Sequence, residues 1–499
     1  MKRKTALICI MAMIFIVASA CSNNNNAGSS TSPPESTNAN ASETANTTEA
    51  TNTTEAEAES QEPAETPVYE DLGGVTVKFA NWGDSSWSKP GDDEKGLREQ
   101  AFREELMKNY NFKIEYLAIP DDSYLPTVTS SIMSGNPAAD VFNLMMDAIP
   151  GFAAKGLLYP LDTVKSYDFI NDPSIQTAVR DAVTWNDGHT YAYYRGSSAY
   201  LGSKTFTVFN KKIASSLGLD PYDLWTKGEW TWDKFQEYAA LATKDTNNDG
   251  VNDQWGLTGD MVLLPLGYVG STGAELLDKD HKIHYNDPKV TQALEAFKNL
   301  KPYLQAAPEG SNWDFYMTAF AKGNVLFSQA NQWWMTSRYQ DMQDDWGIVP
   351  FPLPKAGDPY YTVSDIEGVQ AIPYNTKNPE AVATVIKLLA QPRPWDLDEN
   401  GQPLVDKSDP NWFWPDYENQ VRDEQSLESL STIINNEKFY FDKQRMYNVY
   451  WSDPGFQAMG QAVWDGTMTP AQAIQANEKP TQEKLNAFLA EANSAAAAK

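Results

Sequence analysis

Strand-like and helical patterns alternate along the chain from residue 75 onward, and this alternation constrains the fold more than any other feature. Residues 75–80, 112–119 and 139–145 are short apolar segments rich in β-branched and aromatic residues, as strands are. Residues 94–109 and 124–134 carry apolar side chains at helical spacing. Strands that alternate with helices predict βαβ units on a mainly parallel sheet, and therefore an α/β fold.

The same alternation continues toward the end of the chain. Further strands are predicted at 204–210, 324–328, 345–349 and 367–372, and further helices at 233–243 (with Thr231 as N-cap), 288–304, 313–322, 379–390 and 481–492. The body that holds these elements has about 430 residues, more than the roughly 250–300 that one hydrophobic core supports. Two lobes are therefore expected.

The first twenty-one residues have the pattern of an export signal. Basic residues at 2–4 precede an apolar run at 6–17, which is short for a membrane span. Small residues at 18–20 lead to Cys21, and the sequence Val-Ala-Ser-Ala-Cys at 17–21 resembles the bacterial lipobox, which most often has a leucine where Val17 or Ala18 stands. We expect residues 1–20 to be a lipoprotein signal peptide and Cys21 to carry the lipid that holds the protein at the outer face of the cell membrane. An uncleaved anchor helix is the alternative.

Residues 22–67 are predicted to be a disordered tether between the lipid on Cys21 and the folded body. They contain eight Glu, no Lys or Arg, and no Leu, Ile, Phe or Trp. Such a segment buries too little apolar surface to offset the entropy of ordering it. Because Cys9 and Cys21 are the only cysteines, the mature body has no disulfide and no thiol nucleophile.

The chain is strongly acidic, with a formal net charge of −28. General electrostatics therefore disfavours binding to nucleic acid or to anionic lipid. We expect a monomer whose self-repulsion keeps it soluble.

Residues 245–254 have the oxygen spacing of a calcium loop. Oxygen donors occupy loop positions 1, 3, 5 and 9, Gly250 occupies position 6, and Val251 offers its carbonyl at position 7. Position 12 is Gly256 instead of the usual Glu, and the amide of Gln254 could substitute for it. A structural calcium ion is predicted on Asp245, Asn247, Asp249, Val251, Asp253 and Gln254. The alternative is an Asn/Asp/Gly-rich turn held by its own hydrogen bonds.

Tryptophan is abundant, with 16 in the chain, and several follow predicted strands. Ligands of α/β lobes lie at the carboxyl ends of strands, and flat aromatic faces suit the apolar C–H faces of sugar rings. The aromatic candidates are Trp82, Trp87, Trp333 and Trp334. The polar candidates for sugar hydroxyls are Asp84, Asp147, Arg195, Gln332, Asp365 and Glu367. Core packing is the alternative for any single tryptophan.

Catalytic patterns are sparse. The three histidines form no metal or triad spacing, and the chain has no Gly-x-Ser-x-Gly, Walker or Rossmann glycine motif. With 67 acidic residues, some carboxylate pair at the separation that a glycosidase uses always exists, so that pattern does not discriminate. We expect a binding protein and not an enzyme.

Several stretches in this order resemble the family 1 extracellular solute-binding proteins of bacterial ABC importers, in their carbohydrate-binding lipoprotein type. They lie at 134–140, 186–193, 209–212 with 218–221, 225–235 (WTKGEWTWDKF), 321–326, 348–352 and 372–379. The resemblance covers about residues 73–490. It implies a type II periplasmic-binding-protein fold of two α/β lobes, with a ligand cleft that closes between them. The lobes are expected at 73–200 with 365–435 and at 201–364 with 436–499.

The same resemblance implies the function and its partners. The expected ligand is an oligosaccharide, and the expected partner is the membrane permease of an ABC importer. A peptide receptor, a secreted carbohydrate-active enzyme and a surface adhesin are the alternatives.

Overall fold

The computed structural model describes residues 69–499 with the exception of 84–89, 92, 173–174, 176, 195–202, 261–262, 313, 366–367, 407, 448 and 498–499. The described residues form one compact unit by backbone contacts. Among the described residues, no helix combines the length and the apolar character that crossing a membrane requires.

The strands of the described residues, in chain order, are β1 (Val75–Trp82), β2 (Phe112–Ile119), β3 (Val141–Met145), β4 (Phe206–Asn210), β5 (Trp255–Thr258), β6 (Val325–Ala330), β7 (Trp346–Val349), β8 (Thr362–Ser364), β9 (Gly368–Ala371) and β10 (Phe439–Phe441). The α-helices are α1 (Glu94–Asn109), α2 (Tyr124–Met133), α3 (Ile149–Ala154), α4 (Thr177–Ala182), α5 (Lys211–Ser216), α6 (Pro221–Thr226), α7 (Trp232–Ala242), α8 (Leu263–Ser271), α9 (Pro288–Lys298), α10 (Phe315–Ala321), α11 (Gln332–Trp334), α12 (Pro379–Ala390), α13 (Trp414–Tyr417), α14 (Glu424–Ile434), α15 (Phe456–Asp465) and α16 (Pro470–Ala497).

The first sheet has the strand order β2-β1-β3-β9. β1 runs parallel to β2 and to β3, as the βαβ pattern predicted, whereas β9 runs antiparallel to β3. Apolar side chains on both faces of these strands are buried, Val77 and Phe142 completely, because helices cover the sheet on both sides.

The second sheet has the order β5-β6-β4-β7 and is not mainly parallel, so the expectation of parallel sheets was only half right. β5 and β6 are parallel, but β4 runs antiparallel to both of its neighbours. β4 follows the connection that arrives from the first sheet, and β9 follows the connection that returns to it. Each of these two strands begins at the end of the sheet where its neighbouring strands finish, and it therefore runs antiparallel to them.

The described ends of two connections between the sheets pair with each other. Tyr193 and Gln370 exchange two backbone hydrogen bonds of 2.9 Å on the side of the first sheet. On the side of the second sheet, the amide of Thr205 donates to Val363 over 2.8 Å. β8 then pairs in parallel with β10, which adds a third segment to this junction. These hydrogen-bonded segments join the two sheets, and such paired connections are typical of a hinged two-lobed protein.

Local sequence signals explain several helix starts. The side chain of Thr231 accepts a hydrogen bond from the amide of Lys234 and caps α7, as predicted. Asn378 caps α12 in the same way, with Pro379 at the first helical position. α1, β2 and α12 have the bounds that the periodicity predicted.

The predicted lobe boundaries stay predictions, although the C-terminal helices bear on them. α14 was grouped with the first lobe, but it packs on β7 of the second sheet, where the amide of Ile348 donates to the Ser426 hydroxyl over 3.0 Å. α16 packs on α9 and α15, and its Phe488 also contacts Trp185 of the first core at 6.1 Å between ring centroids. Helix–helix contacts of this kind are set by tertiary packing and carry no signal in the local pattern.

Candidate functional site

Six of the ten predicted ligand residues belong to the described part of the chain. Trp82, Asp147 and Asp365 follow or end strands near the junction of the sheets, and Gln332, Trp333 and Trp334 follow β6. Asp84, Trp87, Arg195, Glu367 and the lipidation site Cys21 lie outside the described residues.

Asp147 and Asp365 meet at a residue that the sequence analysis missed, Arg445. Arg445 lies in the 3₁₀ turn Lys443–Tyr447 that follows β10, and only 5% of its surface is exposed. Its guanidinium forms a close ion pair with the Asp365 carboxylate. Burial raises the pKa of Asp147, and the positive charge of Arg445 opposes that shift. Two candidates far apart in sequence are therefore joined through one buried cation.

Trp451 completes this group and was also missed. It is 40% exposed, and the Arg445 guanidinium lies 4.8 Å from the centroid of its ring. Its indole N–H donates a hydrogen bond to the Asp147 carboxylate. An aromatic face beside charged hydrogen-bonding groups is the combination expected of a ligand wall. The sequence analysis predicted no strand at 439–441, so the search for residues that follow strands did not reach Arg445 or Trp451.

Side chains from both sheets converge on Arg445. Asp147 follows β3 of the first sheet, and Asp260 follows β5 of the second. Burial lowers the pKa of Arg445, and the negative charges of Asp147 and Asp260 both oppose that shift, so both carboxylates lie near the cation. The carboxyl ends of β3 and β5 thus face one place, which is where a ligand cleft between two α/β lobes belongs.

Trp82 ends β1 at the same edge of the first sheet. Its ring meets Tyr124 edge-on at 5.7 Å, and a Cβ on Gly368 would lie 3.1 Å from its Cη2 atom. Gly368 therefore leaves room for the indole at the start of β9. Trp82 is partly buried and packs against the first core, so its role as a ligand contact stays a prediction.

The adjacent tryptophans after β6 have different surroundings. Trp333 is 41% exposed, with the Arg338 guanidinium 5.4 Å from its ring centroid, and Arg338 in turn pairs with Asp314 at 3.2 Å. Trp334 is 4% exposed and belongs to the core beneath the second sheet. The assignment of Trp334 to the ligand is therefore corrected, because successive residues of a helical turn point about 100° apart.

Gln332 is held by another side chain. Its Nε2 donates to Oε1 of Gln420 over 3.0 Å, and its own Oε1 is buried without a hydrogen-bond partner among the described residues. Asn331 fixes the start of this turn by accepting from the amide of Trp334 over 3.2 Å. A buried amide oxygen without a partner is available to a ligand hydroxyl.

The predicted calcium loop is a compact turn. The Asp245 carboxylate accepts backbone N–H bonds from Asn248, Asp249 and Gly250, the last at 2.7 Å, and these bonds lower the pKa of Asp245. In the same manner, Asn247 Oδ1 accepts from the amide of Asp249, and Asp249 Oδ1 accepts from the amide of Val251. This is the hydrogen bonding of the Asx-turn alternative. Oδ2 of Asp245, Oδ1 of Asn247 and Oδ1 of Asp249 each accept one N–H and keep a further lone pair, so these three side chains fit a hard cation as well.

The remaining predicted calcium donors fit less well. Asp253 Oδ1 accepts from both the amide and the hydroxyl of Thr246, and Gln254 Nε2 donates to the Ala242 carbonyl over 2.8 Å. Within the described residues, no three His, Cys, Asp or Glu side chains are grouped as a metal site. Gly256 explains why position 12 has no Glu, because a Cβ there would overlap the backbone of Ala239 on α7.

Comparisons with known proteins agree with this architecture. The sequence model of the bacterial extracellular solute-binding protein family matches residues 50–394. No curated protein matches the chain in sequence.

Solved structures of low sequence identity share the fold. An ABC substrate-binding protein from Listeria monocytogenes in complex with cycloalternan is 16% identical, with a TM-score of 0.58 over 84% of this chain and 99% of that one. A maltose/maltodextrin-binding domain from Bdellovibrio bacteriovorus bound to maltotriose is 16% identical, with a TM-score of 0.57 over 83% and 100%. The GacH receptor of Streptomyces glaucescens, solved unliganded and with acarbose, is 17% identical, with a TM-score of 0.54 over 83% and 99%.

These similarities extend over the whole of each solved chain, so the two sheets joined by paired connections are those of a two-lobed periplasmic-binding-protein fold. The family match covers more than half of the chain, and the protein therefore belongs to the bacterial extracellular solute-binding proteins.

Proposed function

We propose that the protein captures an oligosaccharide in the cleft between its lobes and delivers it to the permease of an ABC importer. The observation that carries the proposal is the half-exposed Trp451 beside Arg445, Asp147 and Asp365 at the place where both sheets converge. The indole offers a face for a sugar ring, and the charged groups offer in-plane partners for its hydroxyls. Cycloalternan and maltotriose in the related structures support this ligand class.

The proposal includes a mechanism for signalling occupancy. A ligand that touches Asp147 on the first lobe and Asp260 or Trp333 on the second makes both sets of contacts only when the lobes are close. It therefore shifts the equilibrium toward the closed form by its differential affinity for that form. A permease can then recognise the closed shape and not the sugar itself.

Calorimetry against a panel of neutral oligosaccharides and short peptides tests the ligand class. We expect saturable binding of at least one oligosaccharide without turnover, and a loss of about tenfold or more in affinity for Trp451→Ala, because a stacked aromatic contributes on the order of 1 kcal/mol or more beyond its area. Tyr374→Ala is the matched control, since Tyr374 is 49% exposed but follows β9 at the opposite edge of the first sheet. Binding of peptides alone, or hydrolysis of the sugar, would contradict the proposal.

Trp333 provides a second test on the other lobe. Trp333→Ala should weaken oligosaccharide binding and leave the melting temperature nearly unchanged, because 41% of the side chain is already exposed. A sharp fall in the melting temperature would instead make Trp333 a structural residue.

The family is extracellular, and the finer placement is proposed from the sequence. Lipid on Cys21 would hold a monomeric receptor at the outer face of the cell membrane, with residues 22–67 as tether. Cys21→Ser should release the protein from the membrane fraction into the medium. Retention of the variant in the membrane would contradict lipid anchoring.

A structural calcium ion at 245–254 is a further proposal, supported by the oxygen spacing of Asp245, Asn247 and Asp249. Chelation should lower the melting temperature, because an ion bound only by the native state stabilises it. Asp245→Asn should abolish the effect of chelator. An unchanged melting temperature on chelation would leave the hydrogen-bonded turn as the full account of this loop.

A further inference from the structure

The turn Lys443–Tyr447 carries Arg445 of the ligand site, and the two neighbours of Arg445 in this turn are buried in different places. Gln444 is fully buried and accepts a hydrogen bond from Tyr285, which belongs to the core around the second sheet. Met446 is 2% exposed and belongs to a core of the first sheet. The turn is therefore held from both sides, and its backbone determines where the Arg445 side chain begins.

The guanidinium group of Arg445 is held at its outer end by a carboxylate and by aromatic rings. It pairs with Asp365, and it lies 5.4 Å from the ring centroid of Tyr450 and 4.8 Å from that of Trp451. Its Nε atom is buried and has no hydrogen-bond partner among the described residues. The position of the guanidinium thus depends on the turn from which the side chain extends as well as on Asp365.

Gln444 fixes the turn through hydrogen bonds of its backbone and its side chain. Its backbone amide and its Nε2 both donate to Oδ1 of Asp442, over 3.0 and 2.9 Å. Its Oε1 accepts from the Tyr285 hydroxyl, and its carbonyl accepts from the amide of Val449 over 3.4 Å. Because Gln444 is buried, the loss of one partner would leave a donor or an acceptor without water to replace it. The conformation of the turn is therefore coupled to these bonds.

Tyr285 is itself a fixed donor. Its side chain is fully buried, with its ring centroid 6.2 Å from that of Phe456. Two residues earlier, the amide of Ile283 donates to Oε1 of Gln482 on α16 over 2.8 Å. These contacts hold the Tyr285 hydroxyl against Gln444.

We propose that Gln444 is a positioning residue of the ligand site. Its bonds to Tyr285 and Asp442 hold the turn and thereby keep the Arg445 guanidinium in place before a ligand arrives. Gln444 is fully buried, so it acts through Arg445 and not by contact with the ligand. A guanidinium that is already ordered costs the ligand no ordering free energy on binding, whereas a loosened turn would. This inference rests on the proposed function, because the ligand concerned is the oligosaccharide proposed for the cleft.

Tyr285→Phe removes the hydroxyl from which Gln444 accepts and leaves the ring in place. Affinity for the oligosaccharide that binds the parent most tightly in the calorimetric panel should fall about three- to tenfold, which corresponds to about one hydrogen bond. The melting temperature should fall as well, since a buried acceptor loses its donor. Tyr339→Phe is the matched control, because the Tyr339 hydroxyl is also buried and lies 2.9 Å from the Ser328 hydroxyl. This variant should lose stability in the same way and keep the affinity of the parent.

Nuclear magnetic resonance of the arginine Nε–Hε groups detects the positioning without any sugar. The cross-peak that disappears in Arg445→Lys identifies Arg445. In the ligand-free protein this peak should shift or broaden in Tyr285→Phe and stay in place in Tyr339→Phe, because only the first variant loosens the turn. A purely structural role of Tyr285 would lower the melting temperature and leave the Arg445 peak unchanged.

Two substitutions at Asp442 separate its acceptor atom from its charge. Asp442→Asn removes the charge but keeps an Oδ1 that can accept from Gln444, so sugar affinity should stay within about twofold of the parent. Asp442→Leu removes both the charge and the acceptor, so affinity should fall about three- to tenfold. Equal affinities of these two variants would overturn the proposal, because the acceptor would then have no part in positioning Arg445.

Two further outcomes would overturn it. One is an Arg445 peak that is unchanged in Tyr285→Phe, and the other is an equal loss of affinity in Tyr285→Phe and Tyr339→Phe. A parent protein that binds no oligosaccharide would instead contradict the proposed function. In that case the Arg445 peak, recorded without sugar, still decides whether Gln444 positions Arg445.

Discussion

Asp442 is a buried carboxylate beside the site, in the residue that links β10 to the turn bearing Arg445. It is 2% exposed, its Oδ1 accepts from the amide and side chain of Gln444, and its Oδ2 has no partner among the described residues. Burial raises its pKa from 3.8 to about 6. Because the folded-state pKa lies above the unfolded value, the folded form binds this proton more tightly. The contribution of Asp442 to stability therefore worsens as the pH rises from about 4 to 6 and is constant above that range.

Asp442→Asn should remove this pH dependence. We expect the free energy of unfolding of the variant to exceed that of the parent by about 1–3 kcal/mol at pH 8, and the two to converge at about pH 3, where Asp442 is largely protonated in both the folded and the unfolded state. Urea unfolding at the two pH values measures the difference. Asp280→Asn is the control, since that side chain is 75% exposed. An equal difference at both pH values would show that Asp442 does not titrate in this range.

At the residue scale, sequence reasoning named some of the residues that the structure brings together. Asp147 and Asp365 were predicted as ligand contacts because they follow strands; the structure places both beside Arg445, and their role as ligand contacts stays a prediction. Arg445 and Trp451 come from a 3₁₀ turn and the segment after it, where no periodic pattern exists to place them. Trp334 was misplaced because two adjacent tryptophans look alike in sequence, whereas the helical turn buries one of them and exposes the other.

At the scale of elements, α7 and β5 illustrate how close packing restricts sequence. Gly256 on β5 is buried against α7, and an added Cβ would overlap the Ala239 backbone, which a side-chain rotation cannot relieve. Ala239 itself is fully buried, so the helix has no room to withdraw. The glycine also replaces the Glu that a calcium loop usually has at its twelfth position. Packing between these two elements therefore limits the ligand set that the loop can offer.

Gly256→Ala should destabilise the protein by about 2–4 kcal/mol, because overpacking of a backbone contact must separate the helix from the strand. Thermal or urea unfolding measures the loss. Gly151→Ala in α3 is the matched control, since a Cβ at Gly151 meets no atom within 4 Å. A loss in Gly256→Ala no larger than in Gly151→Ala would mean that α7 shifts freely on β5.

Element type was predictable over most of the body, and strand direction was not. The periodicity of residues 94–109, 112–119 and 379–390 gave bounds that match α1, β2 and α12. The antiparallel directions of β4 and β9 arise because the chain changes sheets between them and their predecessors. Strand direction thus depends on the route that the chain takes between the sheets. The local sequence pattern of β4 and β9 does not contain that information.

At the scale of the whole molecule, the charge of the cleft predicts which sugars are rejected. Among the described residues, Asp147, Asp260 and Asp365 surround one cation, Arg445, and the chain as a whole carries −28. A uronic acid oligosaccharide would thus bring negative charge to a negative field.

We expect a neutral oligosaccharide to bind at least about tenfold more tightly than its uronic acid counterpart at low ionic strength, because like charges placed together across an interface cost free energy. The difference should shrink as salt is raised to about 0.5 M, where screening acts over a few ångströms, while affinity for the neutral sugar stays nearly constant. Asp147→Asn removes a negative charge and should therefore reduce the difference in affinity between the two sugars. Arg445→Met removes the positive charge and should increase that difference. Calorimetry with the neutral and the acidic sugar, each at low and at high salt, measures these affinities for the parent and for both variants. Equal affinities, or tighter binding of the acidic sugar, would show that Arg445 dominates the field of the cleft over its surrounding carboxylates.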